Sequence, residues 1–345
     1  MRLALLDYGR FFAAFSVVCF HYFYNGISNG KVTSIDHTLF AGISSYGHFG
    51  VQFFFIISGY VIFYSLKHKG AASFLKSRLK RLYPTYWFAI LFTSFFALLW
   101  GGGTDMSVST LQVIVNFTML QQFVGIHNVD GVYWTLFYEI IFYGVVFFIL
   151  LFSSFRRLIS FLVVWPFLII FFNVLGNDLI IFNMYFLYFV IGAMFAILKN
   201  GAMPKKIAFF MLGVSVIAAY YQMYSAGIDK NNNIVFVTLI YLIMLGFFWM
   251  LNMDRWRNVS LPFSKDLGGM TYPIYLIHAH FGYMFLNKFA TNSNYYFIYL
   301  VLLLIVFVLS WVIWNLIEVR QSDFWHRFFS KAVKLVEKIE SKIKF

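Results

Sequence analysis

Leu6-Asp7-Tyr8-Gly9-Arg10-Phe11-Phe12-Ala13-Ala14-Phe15-Ser16-Val17-Val18-Cys19-Phe20-His21-Tyr22 carries a cation and an imidazole through an otherwise apolar run. Charge inside lipid is costly and is seldom retained without a role. Arg10 and His21 stand eleven residues apart, which on an α-helix is three turns plus roughly 20° and about 16 Å of rise, so both lie on one helix face. That face joins a group able to hold an anion to a group able to move a proton. The alternative is a snorkelling arginine and a histidine in the polar belt.

The same character extends along the chain. Of its 345 residues 61% are hydrophobic, 23% aromatic and only 11% charged, which excludes a soluble domain and predicts an all-α, polytopic integral membrane bundle. Ten apolar runs are candidate transmembrane helices: about 5–25, 47–66, 82–101, 132–152, 158–175, 179–198, 207–224, 233–252, 270–289 and 295–318. The fifth and sixth are short, with Asn177-Asp178 as the only break between them. The first run reads as a retained span, because Asp7 and Arg10 interrupt its start and no small-residue cleavage site follows.

A net charge of +13 would admit a nucleic-acid partner, but the positive residues punctuate apolar runs, and topology accounts for them without one. With the N-terminus in the cytoplasm, 23 of the 26 Lys and Arg fall on the cytoplasmic side and only Lys31, Lys230 and Lys288 outside. This predicts a multi-pass protein of the cytoplasmic (inner) membrane with both termini inside. The single cysteine, Cys19, gives neither a disulfide framework nor a thiol metal site. No histidine pair has the helical zinc spacing and the acids are scattered, so no metal is expected.

Residues 101–130 lack Lys and Arg, and residues 107–123 read as re-entrant or interfacial, being too short to span. Asn116-Phe117-Thr118 fits the glycosylation acceptor pattern. The domain expected over 1–318 is followed by a tail, 319–345, in which Trp325, Phe329, Ala332, Val336, Ile339 and Ile343 recur at helical spacing between basic residues. Such a helix suits the inner surface of the lipid bilayer; a dimerising helix, hence a homodimer, is the alternative.

Other groups with chemistry fall at intervals. Gly50-Val51-Gln52-Phe53-Phe54-Phe55-Ile56-Ile57-Ser58-Gly59-Tyr60 has glycines that permit close helix approach. In Lys76-Ser77-Arg78-Leu79-Lys80-Arg81-Leu82-Tyr83-Pro84, Arg78 and Arg81 neighbour each other at i, i+3. Their guanidinium forks suit phosphate; the plainer reading is a positive-inside anchor. Glu139, in Trp134-Thr135-Leu136-Phe137-Tyr138-Glu139, is an acid at membrane depth that needs a cation, an imidazole or a proton. His278 and His280 close Tyr272-Pro273-Ile274-Tyr275-Leu276-Ile277-His278 and its extension, with His280 read as a core histidine.

In this order the motifs resemble those of membrane acyltransferase family 3. That family carries a basic residue, ten residues and a histidine on its first helix, as Arg10 and His21 do here. Its Gly-Val-x-x-Phe-Phe-x-Leu/Ile-Ser-Gly-Phe/Tyr signature matches Gly50 to Tyr60, and its Arg-x-x-Arg before proline matches Arg78, Arg81 and Pro84. Trp-Ser-Leu-x-x-Glu resembles Trp134 to Glu139 with Thr135 in place of serine, and Tyr-x-Ile-Tyr-Leu-Ile-His matches Tyr272 to His278.

The resemblance implies transfer of an acyl group, most often acetyl from acetyl-CoA, to a hydroxyl of a saccharide or lipid-linked saccharide acceptor such as O-antigen or exopolysaccharide. Members with a soluble hydrolase-like domain carry it after the last span, and none is expected here. His21 is then the general base, with Glu139 expected to reach its ring and steady the imidazolium. Arg10, Arg78, Lys80 and Arg81 would take the CoA phosphates, and Ser58, Tyr60, Trp134, Tyr138 and His278 would support substrate or structure. The competing function is a transporter or flippase of the same substrates, for which repeated halves are the usual sign.

Overall fold

A computed structural model of the chain describes residues 3–66, 69–177, 179–257 and 259–343. Arg2, Lys67, Asp178 and Lys344, which enter the charge and boundary readings, lie outside the described residues. Among the described residues there is no β-strand. In chain order the long helices are α1 (Ala4–Ser28), α2 (Ala41–Ser65), α3 (Ala71–Trp100), α4 (Gly131–Phe152), α5 (Phe155–Val174), α6 (Phe186–Asn200), α7 (Lys205–Asp229), α8 (Ile234–Asn252), the consecutive α9 (Ser264–Ile277) and α10 (Ala279–Phe289), and α11 (Tyr295–Arg320). Eight of them are long and apolar enough to cross a membrane; α6 and the pair α9–α10 are the other two of the ten expected runs.

α6 has 15 residues, about 22 Å of helix against a hydrocarbon layer of about 30 Å. It is short because it sits in the centre of the bundle: every residue from Phe186 to Ile197 is buried. A helix apolar all round belongs inside. Two glycines bring α2 onto it, Gly192 against the Ile56 carbonyl and Gly59 against the Phe189 carbonyl. This is the close approach that glycine alone permits.

The basic segment lies on a helix and not in a loop. α3 begins at Ala71, ahead of the expected start near 82, since Lys, Arg and Leu are good helix formers and nothing before Pro84 interrupts them. The Glu340 carboxylate accepts the N–H groups of Ala71 and Ala72 at 2.9 Å each, placing an anion on the positive end of the helix. Glu340 belongs to α13 (Lys334–Ile343), which follows α12 (Ser322–Ala332). Phe329 and Val333 of this tail are buried, and Trp325, Phe328 and Phe329 lie 6.0–6.3 Å from the Trp87 ring of α3. The tail is amphipathic and docks along α3, with Arg327, Lys331, Lys334, Lys338 and Lys342 turned outward.

Residues 107–123 fold back along α3. After the short helix Thr110–Asn116 the chain runs beside α3, where Trp87 Nε1 donates to the Phe117 carbonyl and Tyr83 Oη to the Thr118 carbonyl, both at 2.9 Å. Trp87 is thirteen residues before Trp100, about 20 Å along α3. Asn116 is fully buried, donates to the carbonyls of Gln112 and His127 and accepts from Val129 N–H. Its amide staples this folded-back segment shut, which overturns the glycosylation reading.

Where α9 meets α10 the helix kinks at His278. The His278 Nδ1 inserts between the carbonyls of Ile274 (3.1 Å) and Tyr275 (2.8 Å), a side chain entering the backbone ladder. Upstream, Gly268 packs on the Asp7 side chain and Gly269 on the Trp314 ring, seating α9 between α1 and α11.

Candidate active site

Three cavities follow one another through the bundle. The first, of about 380 Å³, is a cationic mouth lined by Arg10, Ser77, Arg78, Lys80, Arg81 and Glu318. The second is a neck of about 110 Å³ that shares Arg10, Arg78 and Arg81 with the mouth and adds Ser58, Thr135 and Glu139. The third, of about 440 Å³, shares Val51 and Tyr275 with the neck and holds His21. The face running from Arg10 to His21 along α1 thus faces the whole series.

At the mouth the cations are not equivalent. Arg81 pairs with Glu318, whose other oxygen accepts from Thr85 at 2.8 Å, and lies 5.4 Å over the Tyr272 ring. Its charge is already matched. Arg78 packs over the rings of Tyr143 (5.5 Å) and Phe74 (5.8 Å) and donates to Ser77 Oγ, and among the described residues no carboxylate lies within 4.0 Å of it. Aromatic faces favour the cation, and the five-donor fork keeps N–H groups beyond those used by Ser77 and Tyr143. Lys80 donates to Ser322 of the tail at 2.9 Å, and Arg10 stands 3.7 Å from Asp7 one turn away.

Glu139 is in the neck, not on His21. Ser58 Oγ donates to its carboxylate at 2.9 Å and Tyr143 Oη donates to the same oxygen. The expected Glu139–His21 contact is therefore corrected: sequence required a partner for this acid, and α2 and the next turn of α4 supply two hydroxyls.

His21 opens a π-helical turn, His21–Asn25, inside α1, a feature common at functional sites. Its Nδ1 is 2.5 Å from Tyr283 Oη, and Asn25 Nδ2 donates to the same phenol oxygen at 3.1 Å. The His278 ring meets the His21 ring edge-on at 5.0 Å. Among the described residues Nε2 of His21 has no hydrogen-bond partner, and the side chain lines the third cavity.

The remaining expected residues divide. Trp134 lines the His21 cavity; Tyr138 packs against Trp134 (5.8 Å) and Tyr185 (5.1 Å). Tyr60 faces α8, donating to Asn252 at 3.2 Å, so it supports helix packing and lines none of the three cavities. His278 is fully buried beside His21. Sequence reading missed Tyr283, Asn25, Tyr143 and Glu318. Asn25 was visible at i+4 from His21; Tyr283, 262 residues away, carries no such signal.

The fold and these cavities define a multi-pass helical membrane protein in which a cationic mouth leads to a fixed imidazole. The chain belongs to acyltransferase family 3: the family's acyltransferase domain matches residues 3–315. It is accordingly a membrane acyltransferase. No curated protein and no solved structure matches the chain.

Proposed function

We propose that this acyltransferase moves an acetyl group from cytoplasmic acetyl-CoA to a hydroxyl of a cell-surface or lipid-linked saccharide, with His21 as general base. The observation that carries the reading is the held imidazole, fixed at Nδ1 and free at Nε2, at the far end of a passage that begins with arginines. A sugar hydroxyl is a poor nucleophile at neutral pH, and a histidine is suited to take its proton as attack proceeds. In the tautomer that leaves Nε2 basic, Nδ1–H donates to Tyr283 Oη, which also accepts from Asn25; a phenol oxygen has two lone pairs for them. The hydroxyl oxygen forms the new C–O bond, the thioester C–S bond breaks, and the proton taken by His21 passes to the departing CoA thiolate.

The donor enters at the mouth, where Arg78 and Lys80 hold phosphate and Arg10 aligns the chain leading to the thioester. The pantetheine arm, long and unbranched, suits the narrow neck. The charge distribution supports a cytoplasmic position for that mouth and for both termini. The test is CoA thiol release by purified protein: acceptor-dependent release with acetylated saccharide formed is expected, whereas saccharide movement across proteoliposomes without thiol release returns the transporter reading.

The unequal arginines give a second expectation. Arg78→Gln weakens acetyl-CoA binding about tenfold with little change in thermal stability. Arg81→Gln lowers stability instead, because Glu318 loses its partner, and weakens the donor only through the unmatched carboxylate left at the mouth. Arg81→Gln with Glu318→Gln restores both stability and affinity, since the pair is removed together. Calorimetric donor binding beside melting curves separates the two effects, and equal behaviour of both arginines would contradict the assignment.

A further inference from the structure

Only three Lys or Arg, Lys31, Lys230 and Lys288, fall at the His21 end of the chain's charge distribution, and two of them, Lys31 and Lys230, line the His21 cavity. Lys288 is exposed elsewhere on α10. Retaining cations where topology removes them calls for a ligand.

Lys31 is placed with care. Its main-chain N–H donates to Asn29 Oδ1 (3.2 Å), its carbonyl accepts from Asn287 (2.7 Å), and its Nζ donates to His280 Nε2 (3.2 Å). That imidazole nitrogen also accepts from Gly131 N–H at 3.2 Å, while Nδ1 donates to the Val129 carbonyl, so His280 is a neutral acceptor that aims the ammonium. Two ammonium hydrogens remain for another partner. Asp130, the nearby buried acid, is taken up by the N–H groups of Val132 and His280. Lys230 lies 6.0 Å over the Phe20 ring. Among the described residues neither lysine has a carboxylate within 4.0 Å; Asp229, exposed, is the one acid in the lining.

A separate observation concerns hydroxyl-rich ligands. Gln52, 2% exposed, has a buried Oε1 with no partner among the described residues, as does His48 Nε2, and both side chains line this cavity. Buried polar atoms without partners mark a site that expects one.

We propose that the His21 cavity takes a saccharide acceptor carrying an anionic group, carboxylate or phosphate, held by Lys31 and Lys230 beside the hydroxyl that is acetylated. The proposal rests on the acetyl-transfer reading for its chemistry but not for its binding. Lys31 and Lys230 are positioned for the charge, Gln52 and His48 for the hydroxyls, and His21 for the proton.

The test uses full-length protein in nanodiscs with two matched pairs: trigalacturonate against its methyl ester, and phosphorylated maltotriose against maltotriose. At least one charged member should exceed its neutral partner tenfold or more in kcat/KM, which also tells carboxylate from phosphate. Lys31→Gln with Lys230→Gln should erase that preference mainly through KM and flatten its dependence on salt, while Lys288→Gln behaves as wild type. Equal use of both members of each pair, or a preference surviving in the double variant, overturns the proposal and leaves acetyl transfer standing. Should none of the four saccharides be acetylated, calorimetric binding decides: tighter binding of a charged member that needs the two lysines upholds the site against failure of the transfer reading, and equal binding overturns it.

Discussion

His21→Ala should lower acetyl transfer at least a thousandfold and leave acetyl-CoA binding within twofold of wild type. General-base catalysis contributes 10²–10⁴-fold, and here the base also orients the hydroxyl, so the upper part of that range applies. Donor binding should survive because the groups proposed to hold phosphate lie at the mouth, two cavities away from the imidazole. Tyr283→Phe tests positioning separately: with Nδ1 no longer held, kcat should fall about tenfold at unchanged KM for the donor. In wild type, transfer should rise with pH as the ring loses its proton, since a protonated imidazole cannot accept another; in Tyr283→Phe the midpoint of that rise should move. Substantial transfer by His21→Ala protein of normal melting behaviour would return this histidine to a packing role.

Gly192→Ala should be among the most destabilising single changes in the chain, though it adds one methyl group. The new Cβ would run into the Ile56 carbonyl oxygen and stand 2.7 Å from the Tyr60 nitrogen, both main-chain atoms of α2 that cannot swing aside. α6 is enclosed on all sides, so relief requires moving a whole helix; the cost should exceed about 3 kcal/mol. Gly213→Ala is the control, because nothing lies within 4 Å of its added Cβ on α7, and alanine should if anything strengthen the helix. A clear fall in melting temperature for the first and none for the second is expected in detergent. Similar melting of the two would mean that α2 and α6 do not touch through glycine.

The contrast between these glycines marks where sequence suffices. Arg10 and His21 were legible as a pair because both sit on one helix, where spacing converts directly to geometry. The span pattern was legible for the same reason, since lipid demands long apolar runs. α6 was read as an ordinary span because hydropathy does not distinguish a helix surrounded by protein from one surrounded by lipid. Glu139 was sent to the wrong partner because burial of an acid demands compensation without naming its source, and Ser58 lies 81 positions away. Arg81 looked interchangeable with Arg78 until Glu318, 237 positions on, was found against it. Local pattern gave the groups; long-range packing chose their neighbours.

The neck has an electrical consequence. The Tyr275 hydroxyl is held by Thr135 Oγ1 at 2.7 Å and reaches the Val132 carbonyl at 3.2 Å, so the neck between the two wider cavities is small and braced. Where both fill with water, the membrane voltage drops almost entirely over that constriction, about 2.3 kcal/mol per charge for each 100 mV. An ion moved from one cavity to the other would do so against or along this concentrated field, whereas a neutral group would cross it untouched. Tyr275, which lines both the neck and the His21 cavity, would then be the group on which the electrical separation of the two cavities rests.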